Sequence, residues 1–131
     1  MKHLKLFESF DFGEYEKVDY NTWNSFGVDT TWKDTELNQI IKIMENKGFL
    51  DWYLKPFSFD VVFHKESIPK TKVGSKIEIN SMEDEWFKVI TTNMGLKTSV
   101  AGRDPSYHSA DEKYYLCDQF VGLLKLIEEV L

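Results

Sequence analysis

The residues best equipped for chemistry sit together in residues 101–111, AGRDPSYHSAD. Arg103 is the only arginine among 16 basic residues, and its planar guanidinium is the chain's one rigid fork for a carboxylate or phosphate. Tyr107 offers an apolar ring with a polar tip, and His108 changes charge near neutral pH. Arginine and tyrosine are also the residues that recognition surfaces favour. Ser106, Ser109, Asp104 and Asp111 surround His108. Working triads are assembled from separate segments, so their proximity in one stretch does not make a nucleophile, and no G-x-S-x-G elbow occurs. The competing structural reading is a turn ahead of Pro105, held by an Arg103–Asp104 ion pair.

The other chemically capable groups do not converge. His3, His64, His108 and Cys117 show no recognised metal-ligand spacing, and the sequence implies no metal and no cofactor. Cys117 follows apolar Leu116 and fits a small core residue better than a nucleophile. Runs such as Glu83–Asp84–Glu85 have the character of solvated faces. No glycine-rich phosphate loop precedes Lys76. Residues 65–76 carry Lys65, Lys70, Lys72 and Lys76 against the single acid Glu66. They read as a soluble connection. In a second reading, Lys72 or Lys76 joins Arg103 around the phosphates of a nucleotide or another small anion, with Tyr107 or a tryptophan stacked on a base.

The elements that must position these groups follow from hydrophobic spacing. Leu37, Ile40, Ile41 and Met44 recur at helical intervals and predict a helix at about residues 35–47, capped by Asp34 or Thr35 and closed at Gly48. Phe120, Leu123, Leu124, Ile127 and Leu131 predict a second helix at about residues 118–131, with Asp118 as its N-cap. Strands are expected at residues 57–63, 76–80, 86–92, 96–100 and 114–117, which puts residues 101–111 in a loop. Residues 1–10 read as a short amphipathic helix, within an irregular aromatic-rich region (residues 1–33) that packs on the core and holds a helical turn near residues 21–25. The fold class is α+β: one domain with an antiparallel sheet of about four to five strands, an N-terminal helical region and these two helices.

Composition sets limits. The chain has 131 residues, 42% hydrophobic and 15% aromatic, which supplies a core without a disulfide or metal staple. Trp23, Trp32, Trp52 and Trp86 are dispersed, as in a packed aromatic core. A net charge of −6 with no dense cationic stripe argues against DNA as a partner. No stretch reaches membrane-spanning length, residues 1–10 do not form a signal peptide, and one cysteine cannot form an internal disulfide. The expected location is the cytoplasm.

Three stretches, MKHLKLFESF, DEWFKVI and YYLCDQFVGLLKLIEE, resemble uncharacterised small proteins of large tailed bacteriophages, and the preference for lysine over arginine fits an AT-rich phage genome. The resemblance implies origin rather than activity and assigns no functional residue. With no catalytic motif, it leads to a non-enzymatic accessory protein in the host cytoplasm that binds a host macromolecule, a host protein above all, and counters a host defence. Three alternatives stay open: a protein that sequesters a nucleotide or other small ligand, an internal virion protein directed by residues 1–10, and an enzyme such as a hydrolase using His108.

Overall fold

The two helices legible from spacing are the two that cover the sheet. The computed structural model describes residues 13–27, 30–65, 75–97 and 106–131, with the backbone alone at 94–97 and 106–111. In chain order these residues form β1 (Tyr15–Val18), α1 (Tyr20–Asn24), α2 (Asp34–Asn46), β2 (Asp51–Leu54), β3 (Val61–Lys65), β4 (Ser75–Ser81), a 3-10 turn (Glu83–Glu85), β5 (Trp86–Lys97), β6 (Ser106–Asp118) and α3 (Gln119–Val130). The strands make one antiparallel sheet of six in the order β1-β6-β5-β4-β3-β2. This is the expected α+β class, with one strand more than the upper expectation. The helix expected at residues 1–10 lies outside the described residues, as does residues 98–100 of the expected fourth strand.

One face of the sheet is dry. Val61, Phe63, Ile77, Ile79, Phe87, Val89, Tyr115 and Cys117 alternate inward along β3 to β6 and meet Ile40 and Met44 of α2 and Leu123, Leu126 and Ile127 of α3. Each such aliphatic side chain contributes roughly 1.5–3 kcal/mol by leaving water. Gly48 (φ +93°) ends α2 in the left-handed region that favours glycine, which brings Phe49 back under the helix. The other face has a smaller apolar cluster of Phe26, Met82 and Leu116, flanked by Trp23 and Trp86. Of the four tryptophans, Trp32 is the one that is buried, and Trp52 is exposed.

Several expectations are corrected. Residues 106–111 belong to strand β6 rather than a loop: Tyr107 pairs with Leu96 and His108 with Gly95 in a ladder that continues past a register shift at Asn93/Met94. Small polar residues after Pro105 have a loop's composition, but pairing with β5 outweighs that weak preference. Residues 96–97 of the expected fourth strand are the far end of β5, and the expected strand at residues 57–63 starts only at Val61. Before it the chain turns at Pro56 with Phe59 at φ +57°, and Lys55 N–H donates to the Asp60 carbonyl at 2.9 Å. β1 and β2 were not expected; four residues are too few to show a period. Neither helix has the expected side-chain cap. Lys33 precedes α2, whose first turn holds Asp34 and Glu36 against the helix dipole. Asp118 is the N-cap residue of α3 as expected, but its carboxylate accepts from Gly13 N–H at 3.3 Å rather than from the helix's first turn.

Candidate functional site

Of the residues singled out by type, Arg103 and Lys72 lie outside the described residues, and Tyr107 and His108 are placed by backbone alone. Lys76 is on β4, opposite His64 of β3 and Thr92 of β5. Along β5, Thr92 and the Leu96 that faces Tyr107 are four residues apart, about 13 Å at strand rise. The ladder therefore brings Lys76 and His64 together and leaves Tyr107 and His108 further along the β5–β6 arm.

Around Lys76 the second face of the sheet is polar. Glu78 accepts from Lys55 Nζ at 3.0 Å and lies 3.6 Å from Lys76 Nζ, while Lys55 Nζ is 3.9 Å from Asp60. The hydrogen bond to Glu78 raises the Lys55 pKa, so this ammonium stays charged and is no general base. Asn80 is buried and its amide nitrogen donates to Asp60, while its Oδ1 has no partner among the described residues. Further along the same face Lys88 is buried with its Nζ 3.9 Å from the centre of the Trp23 ring and 3.3 Å from the Phe26 carbonyl. That cation is held by a ring face and a carbonyl.

The chemistry open to these groups is narrow. Cys117 is fully buried, and burial pushes its thiol far up, which suppresses the thiolate a nucleophile needs. Among the described residues no cluster of three His, Cys, Asp or Glu could hold a metal ion. Among the described residues, two recesses border polar groups. One of about 340 Å³ is bordered by Thr30, Lys33, Glu36 and the acidic 3-10 turn, where Asp84 and Glu85 take φ of +61° and +63°. The other, about 190 Å³, is bordered by Lys65, Lys76, Lys113 and Asn93. Its lysines are already engaged: Lys76 with Glu78, and Lys65 with the Phe49 ring at 5.7 Å.

The surface that stands apart is the outer edge of the sheet. β2 is an edge strand in which all four residues are exposed. Around it Leu50 is 72% exposed and Phe57 94%, and Trp52, Tyr53, Leu54 and Phe59 are exposed as well. Scattered apolar residues on a surface are ordinary; six within ten positions are an apolar patch. Tyr53 stacks on His64 at 6.0 Å, which props its ring beside the polar face. Type-based reasoning passed over this stretch because it carries no catalytic motif. The available signal was LDWYLKPFSF itself, which places apolar side chains on both faces of any strand it forms. No helix among the described residues is long and apolar enough to cross a membrane. No protein-family model, curated protein or solved structure matches this chain.

Proposed function

We propose that this chain is a non-enzymatic protein-binding domain, and that its working surface is the β2 edge with the aromatic hairpin that follows. The observation that carries the reading is an edge strand whose side chains are all exposed and whose neighbours Leu50, Phe57 and Phe59 are exposed too. An open edge offers a row of backbone donors and acceptors, and soluble proteins protect such rows unless they are used. Strand addition supplies affinity through the main chain and specificity through alternate side chains. The fitting partner is therefore an extended, largely apolar polypeptide segment. The wider setting we propose is that of a phage accessory protein acting on a host macromolecule. Its support is the phage-like character of the sequence and the preference for lysine over arginine.

Site-specific photo-crosslinking tests the reading in cells that produce the chain. A benzophenone side chain at Tyr53 is expected to give discrete protein adducts, whereas the same group at exposed Glu128 of α3 gives none. Equal labelling at the two positions, or none at Tyr53, overturns it.

A further inference from the structure

We infer that the segment seated on this edge is β2 of a second copy of the chain, added antiparallel with Tyr53 facing Tyr53. The inference rests on the reading of β2 as the binding surface and names the occupant. It follows from which backbone groups are free. Leu54 pairs with Val61, so Lys55 faces Asp60, and Lys55 N–H donates to the Asp60 carbonyl at 2.9 Å. Antiparallel ladders alternate hydrogen-bonded and non-bonded pairs. Asp51 and Tyr53 share the parity of Lys55 and spend their backbone groups on β3. Trp52 and Leu54 turn theirs to the open edge.

A second antiparallel strand can join only where outward-turned residues meet outward-turned residues. Between two β2 strands this leaves registers centred on Trp52, Tyr53 or Leu54. A centre at Trp52 requires Lys55 to face Phe49, which is buried under α2. A centre at Leu54 sets Trp52 against Pro56, which has no N–H to donate. The centre at Tyr53 has neither fault. It places Trp52 opposite Leu54 of the second copy, each pair exchanging both backbone bonds. It also places Asp51 opposite Lys55 of the second copy, twice by symmetry, where the Lys55 ammonium is shared between that carboxylate and its own Glu78, so opposite charges close both ends of the short ladder. Trp52 shares a face with Phe63, and Tyr53 shares one with Val62. The apolar Trp52–Leu54 pairs therefore lie on the helix-bearing side of the joined sheet, and the charged pairs lie on the polar side. The contact is isologous about a twofold axis, which closes the assembly at two copies and joins two six-stranded sheets into one of twelve.

Cysteine scanning of the full chain tests both the occupant and the register. Facing residues of a non-bonded antiparallel pair have Cα atoms about 4.5 Å apart, within disulfide reach. Cys117 is fully buried and contributes no background. Under mild oxidation Tyr53→Cys is expected to form a disulfide-linked dimer at least ten times faster than Trp52→Cys or Leu54→Cys. The unmodified chain is expected to sediment at about twice 15.4 kDa. Asp51→Lys, which sets like charges opposite one another, weakens that dimer at least tenfold. A 15.4 kDa species alone at the highest soluble concentration overturns the inference. Fastest crosslinking from position 52 or 54 overturns the register. A monomer whose Tyr53 photo-adducts contain a different protein removes the second copy but leaves the protein-binding reading. No Tyr53 adduct of any kind removes both.

Discussion

The sheet ends in two strands of four residues each, β1 and β2, and they are finished in opposite ways. β1 is stitched to the last helix. Asp118 N–H donates to the Glu14 carbonyl at 2.8 Å, Lys125 reaches the Glu14 carboxylate at 2.7 Å, and the Tyr15 hydroxyl donates to Glu129 at 2.6 Å. Gly122 lets α3 approach so closely that a Cβ there would stand 2.3 Å from the Glu14 carbonyl oxygen. β2 has β3 on one side and four exposed side chains. A protein that ties one outer strand to a helix through side chains leaves aromatic residues exposed around the other. The contrast is what supports the proposal that the β2 edge receives a partner.

The comparison breaks most readily at Gly122. In an exposed helix, glycine to alanine gains up to about 1 kcal/mol from propensity. Here the added methyl meets backbone, which cannot swing aside as a side chain would. Gly122→Ala is expected to lower stability by about 3 kcal/mol, at the upper end of the usual overpacking cost, read from the urea midpoint. A gain in stability would mean that α3 does not press on β1, and the two edges would then differ less than the argument requires.

A smaller effect of distinctive form is expected at Tyr15. Its phenol is pushed up to about 12, first by the hydrogen bond to Glu129, then by burial and the carboxylate's charge. The bonded form is the neutral one, and the folded pKa lies above the ordinary value of 10.0. The stabilisation is therefore complete below pH 10 and is lost as pH rises towards 12. Because the pair is solvent-exposed, its worth is about 0.5 kcal/mol. Tyr15→Phe should cost that amount at neutral pH and flatten the alkaline decline. Urea midpoints across the pH range, with an ultraviolet tyrosine titration, check both. An unchanged alkaline slope in Tyr15→Phe would detach β1 from this tether.

How much of this was legible depends on how much of a period each element shows. α2 and α3 declared themselves through Ile40 and Met44 and through Leu123 and Ile127, although fully buried Leu126 was not in the expected stripe. β4 was legible from Ile77 and Ile79, which alternate with polar residues. β6 was half legible: Tyr114–Cys117 is apolar enough to declare a strand, whereas Ser106–Asp111 is held in register by β5 rather than by its own composition. Asp118 is the N-cap of α3 as its position predicts, but it spends its carboxylate on Gly13, a contact between residues far apart in the chain. Lys76 was picked for its charge, but its ion pair with Glu78 comes from the strand geometry at i and i+2, where both side chains share a face. The proposed β2 edge rests on exposure rather than on residue type, and exposure is not displayed by a sequence.

The smallest expected change in stability is on that edge, at Phe57. Its ring is 94% exposed, so the folded chain gives it almost nothing that the unfolded chain does not. Phe57→Ser should therefore shift the urea midpoint by less than about 0.5 kcal/mol, the range of a neutral surface substitution. A phenyl ring held in water without benefit to folding is explained if it is covered when the edge is occupied, since covering it recovers its share of apolar transfer energy. The same variant should then show weaker association at the β2 edge in sedimentation, with its folding unaltered. A large fall in stability would place Phe57 in the core instead, and β2 would be tied down by packing as β1 is. Unchanged association together with unchanged stability would confine the contact to Trp52, Tyr53 and Leu54, leaving the hairpin tip outside it.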